Sequence, residues 1–234
     1  LDLGLKATVG YSKTNFADPE AGAGRQNWGN PWFTTLLAYP YESPDDWYNV
    51  DNPTLITKYY DRETGRLKTV ASVYAKASIT DWLSVKTNFG LDFMYNRNVS
   101  TLHRDHPNAQ QNHGYYGQTS SELFRYTWTN TINVNKDFAN GHSLNAVAGM
   151  EMFQGKWYTS NFTGYDLNSD MMQSPAGIGD KSGSSLFPPS IGGGRTMSNL
   201  MSFFAQASYS IANKYNFSAS LRHDTSSKFY EDNA

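Results

Sequence analysis

The chain has 234 residues, no cysteine, 16 Tyr and a formal net charge of −2. It contains no run of about 18 apolar residues, which excludes a membrane-spanning helix. Its charges are interspersed and form no basic stripe, which argues against a nucleic-acid-binding protein. The absence of thiols fits an oxidising envelope compartment.

Seven segments alternate apolar and polar residues with the period of two that a β-strand requires. In chain order they cover about 1–12, 67–79, 83–95, 120–135, 142–158, 202–211 and 215–222. In the sixth segment Phe203, Ala205 and Tyr209 share one face, while Gln206 and Ser208 share the other. Each strand is therefore expected to have one apolar and one polar face.

The connections between these strands are alternately long and short. The short turns lie near 80–82, 137–141 and 211–214, and long loops occupy about 13–66, 96–119 and 159–199. Antiparallel strands joined in this way place every short turn at one rim, as in outer-membrane barrels, whose short turns are periplasmic and long loops extracellular. A soluble β-sandwich would have shorter strands and no strict alternation. We predict an all-β fold, an antiparallel transmembrane β-barrel segment of about seven strands.

Two features predict that the segment belongs to a larger barrel. The chain begins inside a strand, without a signal peptide, and stops just after another. Open strand edges in hydrocarbon cost several kcal/mol for each unpaired backbone group. The first and seventh strands are therefore expected to pair with strands outside these residues.

Several separated blocks resemble the SusC/RagA-type TonB-dependent outer-membrane transporters. Residues 201–210 and 214–229 are similar to a family strand, short turn and strand ending in Arg-x-Asp-Gly-Ser-Ser-Arg-Phe, with Thr225 and Lys228 in place of the usual Gly and Arg. Residues 144–151 are similar to the family pattern L-N-x-x-A-G-x-E, and 73–93 to its strand pair ending in G-L-D.

The resemblance implies a parent protein of 22 strands with an N-terminal plug domain. Residues 1–234 would then be part of its β-barrel domain, and the plug would lie outside them. It also implies a multi-pass protein of the bacterial outer membrane, in contact with outer-membrane lipid, that actively imports a bulky oligosaccharide or peptide. The expected partners are a SusD-like surface lipoprotein and TonB, which is reached through the missing plug region.

Aromatic residues in the first two long loops are the candidates for contact with substrate or with the lipoprotein lid. Aromatic rings stack on sugars and dominate protein–protein hot spots. These candidates are Trp28, Trp32, Tyr39, Tyr41, Trp47, Tyr48, Tyr115 and Tyr116. The alternative is that they pack the loops and the rim. The polar face should line the lumen, and its charged residues are expected to contact the plug; they are Lys6, Lys68, Lys76, Lys86, Asp92, Arg125, Glu151 and Arg222.

No motif for catalysis, cofactor binding or metal binding emerges. His103, His106 and His113 share a loop with Asp105, but their spacing favours a solvated loop over a metal site. Gly192–Gly194 and residues 179–182 do not match a phosphate-binding loop and are interpreted as flexible loop. No nucleophile, base and orienting group occur at motif spacing, so we predict that the protein is not an enzyme.

Two other functions remain open at this point. One is a passive porin or adhesin-type barrel without energy coupling. The other is a secreted carbohydrate-binding β protein, which the aromatic loops would also suit.

Overall fold

A computed structural model describes most of the chain as one antiparallel sheet. It describes residues 1–15, 58–106, 109, 111–168, 174–179, 187–212 and 214–229. The strands are β1 (Asp2–Asn15), β2 (Tyr60–Ser78), β3 (Leu83–Leu102), β4 (Tyr115–Phe138), β5 (His142–Tyr165), β6 (Ser190–Ile211) and β7 (Tyr215–Ser226). Within these described ranges, no helix is long and apolar enough to cross a membrane.

The seven strands pair in chain order, each antiparallel to the next, which confirms the predicted strand number and topology. Short turns join β2 to β3, β4 to β5 and β6 to β7, and the other three connections are longer, which confirms the predicted alternation. The sheet is open, because in the described part of the chain β1 pairs only with β2 and β7 only with β6.

The strands reach further toward the long loops than the sequence predicts. β2 begins at Tyr60, β3 continues to Leu102 and β5 continues to Tyr165. The interpretation of Gly192–Gly194 as flexible loop is wrong, since all three residues belong to β6. They pair with residues 159–161 of β5, and this ladder holds them extended although glycine has little strand preference of its own.

Directly opposed residues of neighbouring strands lie on the same face, so the register shows which side chains share a surface. Val73 of β2 lies opposite Phe89, which lies opposite Trp128; Trp128 lies opposite Met152, and Met152 opposite Met201. The predicted apolar residues of all seven strands thus form one continuous surface, the apolar face. The predicted lumen residues all lie on the other side, the polar face.

The apolar face is exposed in this structure. Leu5 is 74% exposed, Ile132 52% and Leu221 75%. The buried apolar residues of the described part are few: Tyr60, Ala109, Tyr116, Leu123 and Leu167. Exposed apolar area on this scale is a binding surface for another protein or for lipid.

The border of the apolar face toward the long loops follows one row of opposed residues over most of the sheet. Tyr11 of β1, Tyr95 of β3 and Tyr158 of β5 lie in this row, which runs at right angles to the strands. The row reaches β6 at Arg195, whereas the last apolar residue of β7 before His223 is Leu221, which lies opposite Ala205. On β7 the border therefore lies ten residues, about 34 Å, closer to the short turns.

The border toward the short turns descends in the same direction. The first apolar residue is Leu83 on β3 and Tyr215 on β7. The row of opposed residues from Leu83 reaches β7 at Ala219, so the border on β7 lies four residues closer to the short turns. Four residues over four strand spacings give a slant of roughly 35°. The apolar face is therefore a band whose border toward the short turns runs obliquely to the strands.

Candidate functional site

An open polar depression lies on the polar face, where the strands approach the long loops. We call it the rim pocket. Its volume is about 560 Å³. The polar side chains that surround it include Arg62, Asn98, Ser100, Thr119, Asn161 and Thr163. It is open, and Asn161 and Ser190 at its edge are exposed.

Two rows of opposed residues build the floor of the rim pocket. One row runs from Arg62 through Ser100 and Gly117 to Thr163 and Ser190. The next row contributes Asn98, Thr119, Asn161 and Gly192. Asn amides both donate and accept hydrogen bonds, as do Ser and Thr hydroxyls. Among the described residues that surround it Arg62 is the only charged one, so this part of the pocket offers mostly neutral hydrogen-bonding groups.

Two glycines give the floor its depth. A methyl group on Gly117 would lie 3.2 Å from Ser100 Oγ, and one on Gly192 would lie 2.5 Å from Asn161 Oδ1. A side chain at either position would therefore occupy space now used by a polar group of the pocket. Strand glycines often mark places where a ligand or another chain approaches the backbone closely.

An aromatic row borders the pocket on its long-loop side. Tyr115 lies opposite Tyr165, with ring centroids 6.3 Å apart, and its ring meets that of Tyr60 edge-on at 6.5 Å. The Tyr115 hydroxyl donates a 3.3 Å hydrogen bond to the Tyr60 hydroxyl. Tyr165 packs against Phe187 at 5.6 Å. These contacts hold the half-buried Tyr115 ring at the mouth of the pocket.

The two described aromatic candidates have opposite environments. Tyr115 lies on the polar face beside the rim pocket. Tyr116 lies on the other face, is fully buried, and packs against Phe162 at 5.9 Å. Its side chain therefore belongs to the packing of the sheet rather than to the pocket. The other candidates, Trp28, Trp32, Tyr39, Tyr41, Trp47 and Tyr48, lie outside the described residues.

Two histidine–aspartate pairs connect the loop between β3 and β4 to the start of β2 and to the residue that follows β5. His103 Nε2 lies 2.9 Å from Asp61 Oδ2 at the start of β2, and His113 Nδ1 lies 2.8 Å from Asp166 Oδ1 after β5. His106 of the same loop is buried, and this burial lowers its pKa. In the described part of the chain no three His, Asp or Glu residues are grouped as a metal site.

The charged residues predicted to face the lumen divide into two groups. Arg222 forms ion pairs with Glu151 at 3.4 Å and with Asp224 at 2.8 Å, and it donates to the buried Ser202 at 3.0 Å. Lys6, Lys68, Lys76, Lys86 and Arg125 have no ion-pair partner in the part that the structure describes. Asp92 Oδ1 is buried there without a hydrogen-bond partner, although Arg125 is the next residue across the sheet.

Sequence reasoning did not identify the residues that form the rim pocket. Asn98 and Asn161 fall in predicted loops, and the sequence pattern does not distinguish Trp157, which is 44% exposed on the polar face. The sequence could have indicated these residues if the alternation of strand faces had been continued past the predicted strand ends. That count places Asn161 and Thr163 on the same face as Glu151.

Comparisons with known proteins find similarity among solved structures only. No protein-family model matches the chain, and no curated protein matches it either. Among solved structures, the chain is similar to the RagAB peptide transporter, with 16% identity and a TM-score of 0.75 over 99% of this chain and 27% of the other. It is equally similar to the RagAB peptide importer in its open-open state, with 17% identity and a TM-score of 0.75 over 99% of this chain and 26% of that one.

A third structure, the RagAB peptide importer in its closed-closed state, matches 74% of this chain and 19% of the other, with 18% identity and a TM-score of 0.61. At these identities the similarity establishes the fold alone. The chain spans about a quarter of the length of the first two structures that it matches.

Proposed function

We propose that this chain forms part of the wall of a TonB-dependent outer-membrane importer, which takes up a peptide or an oligosaccharide too large for a porin. The observation that carries the proposal is the division of one continuous sheet into an exposed apolar face and a polar face with an open pocket at one end. A barrel wall has this division because one side meets lipid and the other meets water. The proposal includes no catalytic step.

The apolar band supports a membrane location. Strands of membrane barrels are tilted by about 35–45° from the membrane normal, so a band parallel to the membrane must cross them obliquely. The slant of roughly 35° at the border near the short turns lies at the edge of that range. Tyr11, Tyr95 and Tyr158 lie in one row at the border near the long loops, and Tyr209 and Tyr215 lie near the short turns. Tyr rings are enriched at both membrane–water interfaces.

The rim pocket supports recognition of a neutral, hydrogen-bonding solute on the lumenal side. The neutral amides and hydroxyls of its floor can pair with peptide groups or with sugar hydroxyls. The names of the solved neighbours, a peptide transporter and a peptide importer, favour a peptide. In this proposal the long-loop rim is extracellular, and the rim pocket is met early in uptake.

The proposed partners follow from the same architecture. A SusD-like lipoprotein would cover the long-loop rim, and a plug outside these residues would connect the barrel to TonB. The unpaired cations of the polar face, such as Lys76 and Lys86, which lie directly opposite each other, offer a surface for plug carboxylates.

The test is uptake of labelled oligopeptides and oligosaccharides by cells that express the full-length protein, compared with a deletion strain. We expect uptake to depend on TonB and on the proton gradient. Replacing two floor residues together, N161A/T163A, should reduce uptake about 10-fold, because each lost hydrogen bond contributes about 0.5–1.5 kcal/mol. The matched control is S160A, the intervening residue of β5, whose side chain lies on the opposite face.

Each alternative function has its own outcome in this experiment. Uptake that persists without TonB would identify a passive porin. Recovery of the full-length protein from the medium rather than from the membrane fraction would identify a secreted carbohydrate-binding protein. Equal uptake by the N161A/T163A and S160A variants would remove the rim pocket from the transport route.

A further inference from the structure

Cationic side chains follow the border of the apolar band on the long-loop side. Arg97 of β3, Lys156 of β5 and Arg195 of β6 all lie on the apolar face, in or next to the row of opposed residues that contains Tyr95 and Tyr158. Arg97 is bonded only to neutral groups, Gln118 and Tyr116, among the described residues. Glu122 lies in the same row, diagonal to Arg97 and Lys156, but among the described residues it forms no ion pair with either cation.

Lys156 and Arg195 form the closest pair of these cations. Lys156 lies opposite Met197, and Arg195 lies opposite Tyr158, so the two cations are diagonal neighbours on adjacent strands. Diagonal neighbours lie about 7–8 Å apart, a distance at which two long side chains can reach one anion. In the described part of the chain neither has an ion-pair or hydrogen-bond partner. Lys13 on the same face differs, because it is paired with Glu63 at 2.8 Å.

The residues next to this pair on the band side are apolar. Phe124 and Met197 lie directly opposite Lys156 on its two neighbouring strands, and Met197 is 52% exposed. The exposed ring of Tyr158 lies beside Arg195. A molecule bound here would meet two cations at one end and a hydrocarbon surface at the other.

We propose that Lys156 and Arg195 form a binding site for the phosphate of a membrane lipid, whose acyl chains lie along the apolar band below. The proposal rests on the proposed membrane location, and the phosphate is specified by charge complementarity with the two unpaired cations. Arg presents a fork of donors that matches a phosphate group, and Lys adds a point charge. The site would hold a lipid at the outer border of the wall.

The test uses the purified full-length protein in a neutral detergent. Native mass spectrometry would count bound phosphatidylglycerol, whose phosphate is anionic, against bound phosphatidylcholine, whose phosphate is neutralised by choline. We expect the wild-type protein to prefer phosphatidylglycerol. K156Q and R195Q should each weaken that preference about 5-fold, the effect of one cation near an anionic lipid surface, and the K156Q/R195Q variant should abolish most of it.

Two controls separate charge at this site from charge in general. K13Q removes one cation from the same face but from an existing ion pair, and K156R keeps the charge; both should retain the preference. Equal binding of the two lipids by the wild type, or an unchanged preference in K156Q/R195Q, would overturn the site. Displacement of the lipid by millimolar inorganic phosphate would show an anion site without lipid specificity and would also overturn it. Recovery from the membrane fraction tests the proposed function separately.

Discussion

At the scale of single residues, Tyr115 and Tyr116 show how the pleat assigns side chains of one type to different roles. They are neighbours in β4, so their side chains point to opposite faces. Tyr115 borders an open pocket, whereas Tyr116 is fully buried and its hydroxyl lies 3.4 Å from Arg97 Nη2. If these residues are predicted to form a loop, the two rings are equivalent candidates. Only the strand register shows that they lie on opposite faces.

His106 gives the loop between β3 and β4 a dependence on pH. Burial lowers its pKa in the folded loop, whereas the exposed imidazole takes up a proton below a pH of about 6.5. The unfolded loop therefore binds more protons in the window from about 6.5 down to the lowered pKa. The free energy of unfolding is at its full value above this window and falls as the pH drops through it.

We expect hydrogen exchange of the backbone amides of residues 103–106, corrected for intrinsic rates, to accelerate on acidification from pH 7.5 to pH 5.5. The comparison is with H106F, which keeps an aromatic ring beside Tyr59 but cannot titrate. His103 and His113 are present in both proteins, so their contributions cancel. The same acceleration in wild type and H106F would remove His106 as its cause.

At the scale of elements, the sequence predicts the part of each strand that lies in the apolar band. There one face is apolar and the other polar, so the period of two is visible, as in residues 83–95 of β3. Beyond the band the alternation is weaker, and residues 117–121 of β4 are polar on both faces and show none although they are paired on both sides. Pairing with neighbours extends these strands, and this tertiary effect leaves no trace in the local pattern.

The rim pocket was missed for the same physical reason. Its floor lies in the extended parts of β2 to β6, where the pattern of apolar residues carries no information about faces. Tyr115 was found from the aromatic content of its segment, whereas Asn98, Asn161 and Gly192 are unremarkable in a polar stretch. Their convergence depends on the register across the strands, which fixes Asn98 opposite Thr119 and Asn161 opposite Gly192.

The turn between β6 and β7 contains a local conflict between sequence and conformation. Ala212 has a φ of 51°, in the left-handed region, which costs an L-residue about 1–2 kcal/mol. The turn is closed by a 3.0 Å hydrogen bond from Lys214 N to Ile211 O. Glycine adopts this conformation freely but adds about 0.4–1 kcal/mol of entropy to the unfolded chain. We expect A212G to stabilise the full-length barrel by about 0.5 kcal/mol, measured as an increase in the urea midpoint of unfolding.

The same substitution within the strand should have the opposite sign. A207G, at an extended position of β6, removes a methyl group and loosens the unfolded chain without relieving strain. A loss of stability in A212G equal to that in A207G would show that the left-handed conformation of Ala212 is not strained.

At the scale of the whole molecule, the described part of the sheet lacks the interior that stabilises a soluble domain. Its buried apolar residues are few, whereas Leu3, Phe217 and Leu221 are each more than 60% exposed. The strands are held together by six backbone ladders along their length. The apolar band must therefore gain its stabilisation from surroundings that cover it, which in the proposed function are the hydrocarbon chains of the membrane.

Two substitutions at adjacent positions of β6 test whether lipid covers the apolar face. Ala205 lies on the apolar face inside the band and Gln206 on the polar face, and both residues are exposed in this structure. In water, arginine would be tolerated at either position. In a bilayer, A205R should cost about 2–4 kcal/mol if Ala205 lies near the midplane, while Q206R should cost little because it faces water. Urea unfolding of the full-length protein in lipid vesicles would measure both, and equal costs would contradict the assignment of the apolar face to lipid.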